Sequence, residues 1–147
     1  MSRSRVQRLV TLSWRERLRL AEALCWLALA RLVLLTLPFN TIAARLGTRQ
    51  QLSRETFDNP IQRAQARRIG WAVTTMSRYV PWDSACLAQA LAGKWMLGTR
   101  HLPSTLYLGV AYDENKKMRA HAWLRCGDVF VTGAPQHQRF TIIATFA

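Results

Sequence analysis

Lysine is absent from the first 78 residues, acidic residues are scarce throughout, and glycine and proline are few. The chain of 147 residues contains 8 Asp and Glu against 21 Lys and Arg, with 7 Gly and 5 Pro. The low glycine and proline content, without any low-complexity run, excludes a disordered or fibrous protein. The lack of internal repeats excludes a solenoid. The length predicts a single domain over residues 1–147.

Cysteine is also scarce, and its pattern argues against a zinc site. Cys25, Cys86 and Cys126 cannot all pair within one chain, and neither a CxxC nor an HxxxH spacing occurs. We therefore predict no metal and no cofactor. The chain lacks the pattern of a cleavable signal peptide, which favours a cytoplasmic location, where a cysteine is buried, metal-bound or catalytic. We expect Cys25 and Cys126 to be structural.

Basic charge is concentrated in the first half of the chain. Residues 1–78 contain 14 Arg and 4 acidic residues, a net charge of +10, whereas residues 79–147 contain 7 basic and 4 acidic residues, a net charge of +3. This excess predicts attraction to nucleic acid, acidic lipid or an acidic protein, and arginine in particular suits a protein or peptide interface. No known nucleic-acid-binding motif accompanies the charge. A basic surface that is only solvated is the alternative.

A long uncharged hydrophobic run is missing as well. The most hydrophobic stretch covers residues 23–37 and contains Arg31, whereas a membrane span needs about 20 nearly uncharged residues. Ser13 and Glu16 have the spacing of a capping box that starts this helix, and Pro38 ends it. We predict a helix that is buried or packs on a partner. Peripheral membrane contact stays open because arginines precede the stretch: Arg3, Arg5, Arg8, Arg15, Arg17 and Arg19.

The remaining pattern places helices first and strands last, which is typical of an α+β fold. Strands are expected over residues 104–112, 119–125, 129–132 and 140–146, with Gly127-Asp128 as a hairpin turn. Three further helices are expected from local cap signals: from Asn40 or Thr41 to Leu46, from the Asn59-Pro60 cap to Pro81, and from an N-cap at Asp83 or Ser84 to Gly98.

Cys86 falls in the first turn of the last of these helices. The free backbone N–H groups and the helix dipole at that end favour an anion and so stabilise a thiolate. The thiolate is the form of cysteine that acts as a nucleophile, so this placement suits cysteine catalysis. A small buried cysteine is the alternative interpretation.

His121 lies in the middle of a predicted strand, between two alanines. Because side chains alternate along a strand, His121, Trp123 and Arg125 point to the same face. If the Cys86 helix packs across that face, the imidazole meets the sulfur as a general base. A hydrogen-bonded core histidine is the alternative.

Four segments around Cys86 and His121 form a combined pattern: Pro81-Trp82, Cys86-Leu87-Ala88-Gln89-Ala90-Leu91, Leu106-Tyr107-Leu108-Gly109-Val110 and Ala120-His121-Ala122-Trp123. Together they resemble the transglutaminase-like cysteine peptidases of lasso-peptide biosynthesis, and in particular the stand-alone protease half of the split B protein. The apolar N-terminal helix ending in Leu37-Pro38-Phe39 is similar to that family as well.

The resemblance implies a transglutaminase-like or papain-like fold, with the nucleophile on a helix packed on a small antiparallel sheet. It implies a leader peptidase in which Cys86 is the nucleophile and His121 the base. Its partners would be the precursor peptide, a small leader-recognition protein and an asparagine-synthetase-like cyclase. On this interpretation residues 1–80 form a helical, basic part that docks partners, and residues 81–147 form the catalytic core.

The third catalytic group is where the sequence departs from that family, whose members often orient the histidine with a carboxylate on the following strand. Asp128 is the only acid after His121, but seven extended residues span about 23 Å, and Asp128 falls at the hairpin tip. A two-residue turn instead brings Gly133 and Ala134 opposite His121. Three alternatives stay open: Thr132 or a backbone carbonyl, Asp83 or another upstream acid, and a Cys-His dyad without a third group.

Other functional groups are less clearly indicated. The backbone N–H of Cys86 is a natural oxyanion donor at a helix start, and the side chain of Gln89 is a candidate second donor. We assign no role to His101 or His137. The same Cys-His pair also suits acyl transfer to an amine, as in transglutaminases and arylamine acetyltransferases. A basic module that binds nucleic acid or membrane, without catalysis, is the remaining alternative.

Overall fold

A computed structural model describes residues 7, 10–47, 49–57, 59–81 and 85–147, without the side chains of residues 135 and 136. Helices and a four-stranded antiparallel sheet form an α+β fold, which confirms the predicted class. The elements are α1 (Trp14–Thr36), α2 (Phe39–Arg45), α3 (Pro60–Ser77), α4 (Cys86–Gly98), β1 (Thr105–Tyr112), β2 (Met118–Cys126), β3 (Val129–Thr132), a 3₁₀ helix (Ala134–Arg139) and β4 (Thr141–Phe146).

Helix α1 begins with the predicted capping box. The Ser13 hydroxyl accepts from the backbone N–H of Glu16 at 3.3 Å, and the Glu16 carboxylate accepts from the backbone N–H of Ser13 at 2.8 Å. One face of α1 is buried against α3 and α4, while Cys25 on the same helix is exposed. The expectation of a structural Cys25 is therefore wrong, because its thiol is outside the core.

Hydropathy alone does not make α1 a membrane span. Within the described residues, no helix is both long enough and apolar enough to cross a membrane. Some of its leucines nevertheless face solvent, because only one stripe of the helix meets the core. The most exposed of them are Leu18, Leu32 and Leu35.

The other helices start close to the expected residues. Helix α2 begins at Phe39, one residue before the expected Asn40. Helix α3 begins after Asn59, whose side chain accepts from the backbone N–H of Gln62 at 3.0 Å, as the Asn-Pro pair predicted. Gly70 then allows α3 to approach β3 closely, because a Cβ atom at this position would lie 2.6 Å from the carbonyl oxygen of Val131.

The sheet has the strand order β3-β2-β1-β4, and all neighbouring strands are antiparallel. In the β1–β2 pairing, His121 lies opposite Gly109. Strands β2 and β3 are joined by a two-residue turn in which Cys126 pairs with Val129, and Gly127 in this turn has a φ of +56°. The predicted hairpin turn at Gly127-Asp128 is confirmed.

Helix α4 packs on the face of the sheet that carries Ala122 and Leu124. A Cβ atom on Gly93 of α4 would lie 2.8 Å from Cδ2 of Leu124. The expectation that α4 packs across the face of His121, Trp123 and Arg125 is wrong. Both faces of this part of β2 are covered, with Trp123 only 2% and Arg125 only 8% exposed, so alternation did not indicate which face meets α4.

Lys94 connects α4 to the residue before β1 and to β4. Its ammonium group donates to the carbonyl oxygens of Ser104 at 2.9 Å and of Phe146 at 3.3 Å. Burial of the amine lowers the pKa of Lys94 to about 8. Burial also raises the pKa of the Cys126 thiol to about 11, in agreement with a structural role for this cysteine.

Candidate active site

Cys86 is the first residue of α4, so its predicted place in the first helical turn is confirmed. The N-cap is Ala85, whose methyl group makes no capping hydrogen bond. The expected caps, Asp83 and Ser84, lie outside the described residues. The N-terminal backbone donors of α4 therefore have no side-chain cap from Ala85, and the positive end of the helix dipole is available to an anion.

The sulfur atom of Cys86 lies at the edge of strand β2. The backbone N–H of Ala122 donates to Sγ at 3.4 Å. Strand β3 pairs with β2 over Leu124–Cys126, so Ala122 lies beyond that pairing, where its N–H reaches the sulfur. Because Ala122 directly follows His121 in sequence, this contact places Cys86 against the backbone next to the imidazole.

The imidazole of His121 is oriented by a backbone carbonyl. Its Nε2 lies 2.9 Å from the carbonyl oxygen of Gly133. A carbonyl oxygen only accepts hydrogen bonds, so Nε2 carries the proton and, in the neutral ring, Nδ1 has the lone pair. This is the tautomer that a general base needs if Nδ1 faces its proton donor.

Two aromatic rings lie against the imidazole. The ring of Phe140 has its centroid 5.0 Å from that of His121, and the ring of Trp123 lies at 5.8 Å. Gly109 makes room for this stack, because a Cβ atom there would lie 2.8 Å from Cβ of Phe140 and 2.9 Å from the Trp123 ring. Sequence reasoning missed Gly109 and Phe140 as supports, although a glycine inside a strand signals such a close approach.

The candidates for a third catalytic group lie in different places. The Asp128 carboxylate forms an ion pair with Arg63 at the hairpin turn. Among the described residues, the Thr132 hydroxyl is buried without a hydrogen-bond partner. Asp83 lies outside the described residues. The Gly133 carbonyl oxygen lies next to Nε2. Of the three alternatives for the third group, this position matches the backbone carbonyl.

Arg125 fixes the sheet face behind the imidazole. Its Nε donates to the Tyr107 hydroxyl at 2.9 Å, and its Nη1 donates to the carbonyl oxygen of Gly127 at 2.6 Å. Tyr107 in turn stacks on Trp123 with ring centroids 5.4 Å apart. The buried guanidinium also reaches the Ser53 carbonyl at 3.2 Å, so the loop before α3 is tied to this face.

Gln89, His137 and His101 are the other residues considered from the sequence. Gln89 lies one turn after Cys86 and is half-buried, and its backbone N–H donates to the carbonyl of Ala85 at 3.1 Å. A side-chain role for Gln89 as an oxyanion donor stays a prediction. His137 contacts the Ala134 carbonyl at 2.6 Å, and His101 lies in the turn after α4 with a φ of +56°.

These contacts define what the arrangement does chemically. The sulfur at the helix N-terminus accepts a backbone hydrogen bond from Ala122. The preceding residue, His121, has its Nε2 at the Gly133 carbonyl, which leaves the lone pair of the neutral ring on Nδ1. A sulfur nucleophile with a neighbouring base is the arrangement used for acyl transfer through a thioester.

A family model described as the transglutaminase-like superfamily matches residues 33–145 of the chain. The match includes only the last turn of α1, all later helices and nearly the whole sheet, and it contains Cys86 and His121. It also crosses residue 80, so the predicted division of the chain at that point stays a prediction. No curated protein and no solved structure matches the chain.

Proposed function

Because the chain belongs to the transglutaminase-like superfamily, in which cysteine-dependent catalysis is common, we propose that it is a cysteine peptidase acting on a lasso-peptide precursor. It removes the leader of this ribosomally made peptide. The observation that carries the proposal is the 3.4 Å contact between Cys86 Sγ and the backbone N–H of Ala122. The specific substrate rests on the resemblance of the Cys86 and His121 segments to leader peptidases.

The first half-reaction forms a thioester. His121 Nδ1 takes the thiol proton of Cys86, and Sγ attacks the scissile carbonyl carbon. The oxyanion is stabilised by backbone N–H groups at the start of α4. The tetrahedral intermediate collapses when the C–N bond breaks, and the imidazolium gives its proton to the leaving amine. The core peptide leaves with a free amino terminus, while the leader stays bound to Sγ.

The second half-reaction hydrolyses the thioester. His121 Nδ1 takes a proton from water, and the resulting hydroxide attacks the thioester carbonyl. The C–S bond breaks, the thiolate of Cys86 leaves with the electron pair, and the leader is released with a new carboxylate. The Gly133 carbonyl stabilises the imidazolium in both half-reactions because it accepts a hydrogen bond from the Nε2–H group.

The proposal includes the partners that such a reaction requires. A small leader-recognition protein delivers the precursor, and an asparagine-synthetase-like cyclase uses the freed amino terminus. The reaction then takes place in the cytoplasm, where the precursor is made. These partners rest on the family resemblance alone.

The test is the intact mass of a candidate lasso precursor after incubation with the protein, with and without the recognition protein. The reaction is run in ordinary and in ¹⁸O-labelled water, with Cys86→Ala, His121→Ala and the exposed-thiol control Cys25→Ala. We expect one cleavage by the wild type and by Cys25→Ala, with one heavy oxygen in the leader carboxylate. Cys86→Ala and His121→Ala leave the precursor intact.

Three results contradict the proposal. Cleavage by Cys86→Ala removes Cys86 from the mechanism. If an amine such as glycine ethyl ester is added and the leader becomes joined to that amine and is not hydrolysed, the protein is a transferase that uses the same Cys86–His121 pair. An intact precursor in every reaction refutes the assigned substrate.

A further inference from the structure

A cavity of about 500 Å³ lies between the start of α1 and the middle of α3, on elements other than those that carry His121 and Cys86. We call it the arginine pocket, because four of its seven lining residues are arginines from the two helices. The lining residues are Ser13, Arg15, Glu16, Arg19, Arg67, Arg68 and Trp71.

Positive charge in the arginine pocket is only weakly balanced. Its one carboxylate, Glu16, accepts from the backbone N–H and from the hydroxyl of Ser13, each at 2.8 Å. Within the described part of the chain, no carboxylate lies at ion-pair distance from Arg19, Arg67 or Arg68. Partial burial and the like charge of Arg68 lower the pKa of Arg19. The guanidinium groups therefore repel one another, and a bound anion relieves this repulsion.

Carboxylates on a peptide fit this pocket better than a membrane or a nucleic acid. The planar guanidinium fork binds carboxylates through two parallel hydrogen bonds, and Trp71, 38% exposed, provides an apolar wall. The cavity is concave, as peptide side chains require, whereas a membrane surface is flat. Stacking of single-stranded bases uses several aromatic rings, and Trp71 is the one aromatic residue among the seven that line the pocket.

We propose that the arginine pocket binds the carboxylates of an acidic peptide segment of a protein partner. The pocket holds the partner through at least two guanidinium–carboxylate pairs. The proposal goes beyond the peptidase function and does not depend on chemistry at Cys86, since it concerns a surface on α1 and α3.

The test uses fluorescence anisotropy with a fluorescein-labelled peptide that repeats Glu-Glu-Leu, and a Gln-Gln-Leu repeat as the uncharged control. The protein variants are Arg67→Gln/Arg68→Gln and a matched pair outside the pocket, Arg45→Gln/Arg78→Gln, which removes the same charge. We expect the pocket variant to bind the acidic peptide about tenfold more weakly than the wild type, and the matched pair to change binding less than about threefold.

A second variant separates geometry from charge. Arg67→Lys/Arg68→Lys keeps the net charge but removes the planar forks, so we expect binding to weaken about threefold or more. Equal losses in the pocket variant and the matched pair overturn the proposal, because net charge then explains the binding. Pocket-dependent binding of phosphatidylglycerol vesicles or of oligo(dT), tighter than that of the acidic peptide, also overturns it. Because no turnover is measured, failure here leaves the peptidase proposal intact.

Discussion

The imidazole of His121 and the carbonyl group of Gly133 are joined by a 2.9 Å contact at the point where the chain leaves strand β3. Gly133 has a φ of +75°, a left-handed conformation that turns this carbonyl toward the ring. A backbone oxygen is uncharged and cannot be protonated in the usual pH range, so it fixes the ring tautomer without adding a negative charge. The orientation of His121 thus depends on a glycine conformation.

Gly133→Ala tests this dependence. A Cβ atom there would lie 2.7 Å from the Ala122 carbonyl oxygen and 3.1 Å from His121 Nε2, and the left-handed φ is strained for alanine. We expect the unfolding free energy to fall by about 2 kcal/mol and kcat for precursor cleavage to fall about 100-fold. Urea unfolding and cleavage kinetics measure the two effects.

The matched control for that variant is Gly98→Ala, at the end of α4, where a Cβ atom meets nothing within 4 Å. We expect it to keep full activity and to gain up to about 1 kcal/mol of stability. If Gly133→Ala keeps wild-type kcat, the carbonyl is not what orients the imidazole.

Thr132→Val tests whether the neighbouring hydroxyl takes part in the site. Thr132 is 3% exposed, and its Oγ1 has no hydrogen-bond partner in the described part of the structure. Replacing an unpaired buried hydroxyl by a methyl group of the same shape removes a desolvation cost. We expect equal or higher stability, by up to about 1 kcal/mol, and unchanged kcat. A loss of activity in the same assays would indicate that the Thr132 hydroxyl takes part in catalysis.

Asp128→Asn tests the acid at the hairpin turn. The Asp128 carboxylate pairs with Arg63, and both side chains are nearly half exposed, so the pair contributes about 0–1 kcal/mol to stability. We expect kcat/KM to stay within about twofold of the wild type, because the Asp128 carboxylate forms its ion pair with Arg63 and not with His121. Arg63→Gln provides the comparison, because it breaks the same pair from the other side. A large fall in kcat for Asp128→Asn alone would identify the carboxylate as the missing third group.

Lys94→Met tests the pH dependence that burial imposes on the amine. Burial lowers the Lys94 pKa from 10.5 to about 8, so between these values the unfolded chain keeps a proton that the folded chain has lost. Raising the pH through this window therefore favours the folded state. We expect the stability of the wild type relative to Lys94→Met to rise between about pH 8 and pH 10, as urea unfolding at several pH values measures.

Cys126 produces the opposite slope and must be separated from Lys94. Burial raises its pKa from 9.0 to about 11, so in that window the folded chain keeps the proton that the unfolded chain loses, and raising the pH favours unfolding. Both proteins in the comparison retain Cys126, so its contribution largely cancels in their difference. A difference that is flat from pH 8 to pH 10 would contradict the assigned pKa of Lys94.

Local signals predicted the parts of this fold that depend on a few neighbouring residues. The capping box at Ser13, the Asn59 cap and the Gly127 turn were all predictable, because side chains there bond backbone groups only a few residues away. The place of Cys86 in the first turn of α4 followed from the same kind of reasoning, although its cap proved to be Ala85.

Features that depend on tertiary packing could not be predicted from the sequence. Strand β2 is covered on both faces near Trp123 and Leu124, so its pattern carried no information about which face meets α4. The contact between Cys86 and Ala122 spans 36 residues, and no local propensity encodes such a distance. Gly133 was predicted only as the position opposite His121, because a carbonyl acceptor has no side-chain signature.

Helix α4 is held to the sheet at two positions, by Cys86 Sγ at strand β2 and by Lys94 at the residue before β1 and at the last residue of β4. Eight residues separate these attachments, about 12 Å along the helix axis. Two anchors at this spacing prevent the helix from sliding or rolling, since a shift of one residue turns each side chain by about 100°. The direction in which the Cys86 sulfur points thus depends partly on Lys94, about two turns further along the helix, so core substitutions around Lys94 are able to shift a sulfur atom that they never touch.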